Sequence, residues 1–569
     1  MNFSGKLGKV LLSAFILCSP FLIQAQFTNS QPAVELTLDN YLQEVLQQNE
    51  SVQAQMLEAE ASRHKWRGEL GAFEPNLEAS ITREANKRTN DTQQAASQGG
   101  QSFFSERNTI YDGGIEDLLP TGGKIRLGAT MSDLGNNVNP APFFFSSTNN
   151  IFIKQYQTFV GATFTQPLLK GGGFTAGLAA SRLASLDSDI AFQQYRQKLM
   201  LTIYQAEGAY WNLYFAQQQV HFFDQSVSVA QEVLSDAQQK MKVGQGAQLD
   251  VMEAQSALAL RNTKRNDAVQ NFYDALGHVQ MLTGRAPDFE RAGTENPAFR
   301  AVDDPRTTNA PPTYQDSFVQ VYLLNPDYLI QQKKFDQERV RLGYAKNQLF
   351  PELDLKAAYG FNGLGATPHD SWDVAASQNF PSWSVGLELT IPLAGNIKGR
   401  NLYKAAKLEW NEAYMNLQYI QSQIGGSLSM AIQKARAWQT SIESYQTVVD
   451  YNKELLQTEL ARLKAGTVEA QKVLDTEAEL LDSEQDLAGA LTQYRRALLE
   501  IELNDGAILK NRGIDITREQ LRRQTEQWLY RQEDASDEFL HPHNANDFSP
   551  VPPPAAANAN AIMTPSPSP

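Results

Sequence analysis

Residues 199–246 read LMLTIYQAEGAYWNLYFAQQQVHFFDQSVSVAQEVLSDAQQKMKVGQG, a long run without proline that ends in a glycine-containing turn. An apolar residue recurs there at every seventh position: Leu199, Ala206, Leu213, Val220, Val227, Leu234 and Met241. A sustained seven-residue repeat predicts a helix that supercoils against neighbouring helices. The stretch therefore predicts a long coiled-coil helix that reverses direction at Gly244-Gln245-Gly246.

The same pattern returns 222 residues later, with one polar exception: Gln421, Leu428, Ala435, Ile442, Val449, Leu456 and Leu463. A second turn follows at Ala465-Gly466-Thr467. Long helices are predicted over about 174–241 and 398–464, each on the order of 100 Å long at 1.5 Å per residue. Shorter returning helices, over about 248–282 and 468–504, complete two antiparallel helical hairpins. Rods of this length do not fit inside a globular domain.

The two hairpins belong to a larger duplication. Thr37, Asn49 and Pro75 align with Thr313, Asn325 and Pro351 at an offset of 276. The offset falls to 225 further on, so the first copy carries about fifty more residues than the second. We assign these residues to loops and an additional hairpin around 119–123. The predicted division is a signal peptide (1–25), a first repeat (26–312), a second repeat (313–530) and a disordered proline-rich tail (531–569).

Amphipathic strands precede each long helix. Leu353, Leu355, Ala357, Tyr359 and Phe361 alternate with mostly polar residues, and residues 384–391 alternate in the same way. The first copy offers weaker strands around 77–81 and 160–164. Strands of about 9–11 residues can cross a bilayer, but a half-buried soluble sheet alternates identically. Four to six strands are too few to close a barrel alone, so crossing strands require several chains to share one barrel.

Composition limits the remaining classes of function. The formal net charge is −15, which leaves no basic field for a nucleic-acid partner. Lys6 and Lys9 precede an apolar run that closes near Ala25, the layout of a secretory signal peptide, and the single cysteine, Cys18, lies within it. The histidines show no metal-site spacing and no catalytic motif is present, so we expect no metal, no cofactor and no enzymatic activity.

This organisation resembles the TolC-like outer-membrane efflux proteins over about 36–506. The resemblance is carried by the order of strands and rods, the doubled Phe/Leu-x-Pro-x-Leu motif at Phe73–Leu77 and Leu349–Leu353, the Gln166–Gly173 segment and the two tips. It implies a mainly α-helical protein with a membrane portion: a homotrimer with a shared 12-stranded β-barrel in the outer membrane and an α-helical coiled-coil tunnel in the periplasm. The additional hairpin leaves the strand number open.

The resemblance also implies a function and partners. The chain is expected to be the outer-membrane channel of a tripartite efflux pump or type I secretion system, a passive conduit for solute export. A periplasmic adaptor and an inner-membrane RND or ABC transporter would dock at the tips, where Gly244, Gly246, Gly466 and Thr467 are the candidates. The segments 285–312 and after 506 would form a belt around the tunnel. The alternative is an exported coiled-coil scaffold or interaction protein, which would be soluble without detergent.

Gate residues can be transferred only by position. The family narrows its closed end with acidic residues just past the tips, and Asp250 and Asp475 match that placement, with Glu253 one turn beyond Asp250. Lys472 stands where an acidic residue is expected. Leu463 and Val468 replace a tyrosine and an arginine that form a clasp in the best-known member. Three carboxylates around an axis would repel anions and hold a cation, whereas a carboxylate in a helix's first turn is also ordinary.

Overall fold

The computed structural model describes residues 34–97, 101–137, 153–284, 299–306, 310–514 and 516–540. The predicted signal peptide, Cys18 and most of the predicted tail lie outside these residues. The first copy contains β1 (Val34–Leu36), α1 (Leu38–Gln48), α2 (Glu50–Leu70), β2 (Asn76–Thr89), α3 (Thr92–Ser97), β3 (Phe103–Leu118), β4 (Lys124–Asn136), β5 (Ile153–Pro167), α4 (Phe174–Gly177), α5 (Ala179–Lys242), α6 (Gln248–Leu282) and β6 (Phe299–Ala301).

The second copy contains α7 (Tyr314–Leu324), α8 (Pro326–Asn347), β7 (Glu352–Gly365), α9 (Pro368–Ala376), β8 (Pro381–Thr390), α10 (Ile397–Lys464) and α11 (Ala470–Asp505), followed by α12 (Ile508–Asn511) and α13 (Arg518–Leu540). The order of elements confirms the duplication. α5 and α10 have 64 and 68 residues, which corresponds to lengths of about 96 Å and 102 Å.

The aligned residues of the two copies cap corresponding helices. The Thr37 hydroxyl accepts a hydrogen bond from the Asn40 N–H at the start of α1, and Thr313 does the same at the start of α7. Asn49 and Asn325 cap α2 and α8 through their side-chain oxygens. Such caps satisfy N–H groups that have no partner within the helix. The sequence repeat is therefore a repeat of helix starts.

The heptad rows are buried, most completely in the second copy. Leu428 and Ala435 in α10 and Val473, Tyr494 and Ile501 in α11 are all shielded from solvent. In α5 the predicted row is buried at Leu199, Ala206 and Leu213 and then drifts. Further toward the tip, Ala230, Val233 and Ala237 carry the contact instead. The first part of the row packs in a cluster with α1 and α2, whereas Ala230 and Val233 pack in a cluster with α10 and α11, so the change of row follows a change of neighbouring helices.

The six long strands form one antiparallel sheet in the order β2-β3-β4-β5-β7-β8. A row of apolar side chains crosses all six strands on one face: Leu77, Ile115, Leu127, Ala162, Tyr359 and Trp383. Leu77 is 81% exposed and Trp383 74% in the single chain. The predicted alternation is confirmed, with strands of 10 to 16 residues instead of 9 to 11. The trimeric twelve-stranded barrel that the resemblance implies needs four strands per chain, whereas the described part of this chain supplies six long strands.

Short elements pack against the middle of α5. β1 and β6 pair in parallel as a separate two-stranded sheet, and the Tyr210 hydroxyl donates to the Leu36 carbonyl oxygen at 3.0 Å. Trp211, the residue after Tyr210, is fully buried. The Arg495 guanidinium lies over the Trp211 ring, 5.0 Å from its centre. Phe299, Ile508 and Leu521, which belong to the two segments predicted to form a belt, are buried in the same apolar cluster as Trp211. The residues from 285 to 298 lie outside the described chain.

Candidate functional site

The site is the pair of helical tips where α5 turns into α6 and α10 turns into α11. Gly244 and Gly466 adopt φ of +78° and +73°, a left-handed conformation that favours glycine. In each turn the residue after the glycine donates its N–H five residues back: Gln245 to the Lys240 carbonyl at 2.8 Å, and Thr467 to the Arg462 carbonyl at 3.0 Å. The two turns are therefore the same helix-ending motif, 222 residues apart.

The four candidate gate residues lie close to these turns, and all four are exposed. The Asp250 carboxylate accepts the Ala247 N–H at 3.1 Å and so caps α6. The Asp475 carboxylate accepts from the Gln471 side-chain amide at 2.7 Å. Within the described part of one chain, no hydrogen bond or ion pair joins Asp250, Glu253, Lys472 and Asp475 to one another. Any ring of carboxylates would have to be assembled from several copies.

Two further contacts hold the tips of the hairpins together. The Lys240 ammonium donates to the Leu463 carbonyl oxygen at 2.9 Å and lies 2.7 Å from Asp236. Lys464 forms a second contact at 2.8 Å with Glu232 of α5, in an exposed position. Both contacts join the ends of α5 and α10, so the two tips are connected within one chain.

A buried ion pair joins the returning helices. The Arg261 guanidinium of α6 contacts the Glu477 carboxylate of α11, with 2.9 Å from Nε to Oε2, and donates to the Leu474 carbonyl at 3.0 Å. The two side chains are 11% and 5% exposed. A buried charge is costly unless it is paired, so moving α6 away from α11 here would leave two buried charges without partners.

The sequence reasoning missed this pair, although a signal for it exists. Arg261 interrupts a heptad row of alanines that are otherwise buried, Ala254 and Ala268. A long charged side chain at such a position requires an opposite charge on a facing helix. Glu477, at the edge of the apolar row of α11, provides that charge.

Among the described residues, no three His, Cys, Asp or Glu side chains cluster as metal ligands would. The same part of the chain holds no helix that is both long enough and apolar enough to span a membrane. One face of the six-stranded sheet carries exposed apolar side chains such as Leu77, Leu127 and Trp383. Exposed apolar side chains also lie along α10, for example Leu408 and Met415.

The profile of the outer membrane efflux protein family matches residues 124–285 and 320–507, more than half of the chain. The chain belongs to the outer membrane efflux protein family. Membership identifies it as an efflux component of the outer membrane. No curated protein matches its sequence. The interpretation as an efflux channel is therefore confirmed, in preference to the coiled-coil scaffold.

Solved structures of outer-membrane channels share the fold of this efflux protein at low sequence identity. The channel OprN has 16% identity and a TM-score of 0.57, with 82% of this chain and 89% of that chain covered. CmeC of Campylobacter jejuni has 14% identity and a TM-score of 0.55, covering 82% and 85%. The open state of MtrE of Neisseria gonorrhoeae has 15% identity and a TM-score of 0.52, covering 82% and 88%.

Proposed function

We propose that this efflux protein works as a homotrimeric passive conduit, with no catalytic step of its own. The observation that carries the proposal is that the sheet of one chain ends in two open edges. β2 and β8 each have one unpaired edge in the described sheet, and an open edge cannot face lipid. Closure by neighbouring copies pairs these edges and brings the helical hairpins side by side around a tunnel.

The tips are the proposed docking region for a periplasmic adaptor and an inner-membrane RND or ABC transporter. Gly244, Gly246, Gly466 and Thr467 form the ends of the rods. Beside them Val243 and Leu249 are 69% and 62% exposed. Apolar side chains exposed at the end of a rod favour contact with another protein. The pump would supply the driving force, in either a tripartite efflux system or a type I secretion system.

The gate is proposed to form where the tips of several copies meet. Asp250 and Asp475 would face the tunnel axis and place negative charge in the constriction. Glu253 would add to that negative charge, and Lys472 would reduce it. In a water-poor constriction, like charges repel one another and attract a cation. Opening would require the hairpins to move apart, which the Arg261–Glu477 pair resists.

Reconstitution tests the conduit directly. Protein extracted from outer membranes in detergent and added to a planar lipid bilayer should produce discrete conductance steps that polyvalent cations block from the side of the tips. A protein that stays soluble without detergent and produces no conductance would contradict the proposal. The expected result is that the protein alone conducts ions.

A further inference from the structure

The inserted hairpin, β3 and β4, lies in the middle of the sheet and not beside it. β3 pairs with β2 along the whole of Asn76–Thr89, and β4 pairs with β5 along the whole of Lys124–Asn136. β5 then pairs with β7 of the second copy. Removing the hairpin would leave β2 and β5 as neighbours, so the insertion widens the sheet by two full strands.

The two faces of the sheet continue through the insertion. Ile115 and Leu127 extend the apolar row on one face, and they are 50% and 55% exposed in the single chain. On the opposite face Arg126 contacts Asp112, and the Thr130 hydroxyl donates to the same carboxylate at 2.5 Å. An apolar outer face and a polar inner face are the pattern of a barrel wall. A hairpin packed outside the wall has no need of this arrangement.

A row of glycines crosses four strands on the polar face, and the hairpin supplies half of it. Gly114 pairs with Gly128, Gly128 with Gly161 and Gly161 with Gly360. A Cβ at Gly128 would lie 2.7 Å from the Gly113 carbonyl oxygen, and one at Gly161 would lie 2.5 Å from the Tyr359 carbonyl oxygen. Glycines in such a row allow a sheet to curve strongly toward the face they occupy. We therefore expect the hairpin to bend together with β5 and β7.

The turn of the hairpin is fitted to the junction between strand and helix. The Gly173 N–H donates to the Thr121 carbonyl at 2.9 Å, and the Thr121 hydroxyl donates to the Gln166 side chain at 2.8 Å. A Cβ at Gly177 would lie 2.3 Å from the Pro120 carbonyl oxygen. The turn is thus held against the start of α4, at the level where the sheet meets the rods.

We propose that three copies of this chain close one barrel of eighteen strands. The β2 edge of each chain pairs with the β8 edge of its neighbour. Four strands per chain would give twelve. The occupant of each free edge is a second copy of the chain, because the apolar row reaches both edge strands at Leu77 and Trp383. The inference rests on the proposed trimer. Barrel diameter grows roughly linearly with strand number, so the opening is about 1.5-fold wider.

Cryo-electron microscopy of the full-length protein in lipid nanodiscs tests the strand number. Eighteen strands in a cross-section of a trimer support the proposal. A trimer with twelve strands and the hairpin outside the wall overturns it and leaves the proposed conduit intact. A monomeric particle overturns both, so the two failures are distinguishable.

Disulfide trapping in intact outer membranes tests the same arrangement without imaging. Paired residues on adjacent strands are within reach of a disulfide, so Leu77→Cys with Ile115→Cys should form a bond within the chain upon mild oxidation. Leu77→Cys with Ala162→Cys should not, because β3 and β4 separate them. Efficient trapping of the second pair and not the first would show β2 beside β5 and overturn the proposal. The single native cysteine, Cys18, lies in the predicted signal peptide.

Discussion

At the scale of single residues, the proposed gate role of the tip carboxylates depends on neighbouring chains. Asp475 is exposed and bound by one side chain of its own helix. Replacing it with alanine should raise single-channel conductance and weaken block by polyvalent cations, because the proposed ring of negative charge would be removed. Asp486→Ala, an exposed position about 16 Å further along α11, is the matched control and should change neither quantity. Unchanged conductance and block in Asp475→Ala would remove it from the gate.

Asp250 requires a milder substitution because it also caps α6. Asp250→Asn keeps an oxygen that accepts the Ala247 N–H while it removes the charge. The expected result is a conductance change in the same direction as for Asp475→Ala, without loss of the purified trimer. Equal conductance of Asp250→Asn and the wild type would restrict its role to the helix cap.

The buried pair of Arg261 and Glu477 predicts an effect on both stability and opening. Arg261→Ala leaves the Glu477 carboxylate buried without its partner, which costs about 3–5 kcal/mol. Conductance should also increase, since α6 and α11 lose their contact. Arg265→Ala breaks an exposed pair with Asp224 and should change stability little. Thermal unfolding and bilayer recording check the two effects, and identical behaviour of both variants would contradict the assigned role.

Asp505 predicts a dependence of stability on pH. Burial raises the pKa of its carboxyl from 3.8 to about 7, and the nearby Glu502 contributes in the same direction. The folded state then binds the proton more tightly than the unfolded chain, so this group lowers stability as pH rises from about 4 to about 7. Asp505→Asn should remove this decline in the melting temperature. An unchanged pH profile in the variant would contradict the raised pKa.

At the scale of elements, the glycine row is the feature most sensitive to substitution. Gly161→Val places a side chain against the Tyr359 carbonyl oxygen and Gly360 Cα, an overpacking that costs about 1–3 kcal/mol. Gly386→Val lies on the same face of β8 with no atom within 4 Å and is the control. The yield of assembled trimer in outer membranes should fall for Gly161→Val alone. Equal yields would show that the row does not govern the curvature of the sheet.

The elements were largely predictable from sequence because their signals are local. Seven-residue rows, glycine turns and alternating strands each depend on neighbouring residues, and α10 and α11 were predicted almost to their ends. The break between α4 and α5 at Leu178 was not. The Arg261–Glu477 pair was missed because its partners lie 216 positions apart, and only the packing of two helices brings them together.

At the scale of the whole molecule, the chain is a duplicated unit whose first repeat contributes four strands to the long sheet and whose second repeat contributes two. The sequence located the additional hairpin from the change of offset and the turn at 119–123. Its place between β2 and β5 could not be predicted, because strand order depends on pairing between distant segments. The aspartate ring stays a prediction for a similar reason. It requires several chains, and one sequence does not show how those chains are arranged.

Native mass spectrometry of the protein released from isolated outer membranes tests the central claim, that neighbouring copies complete both the sheet and the helical wall. The account predicts complexes of three chains that are recovered only with detergent. Single chains in the soluble periplasmic fraction, with no complex in the outer membrane, would contradict it.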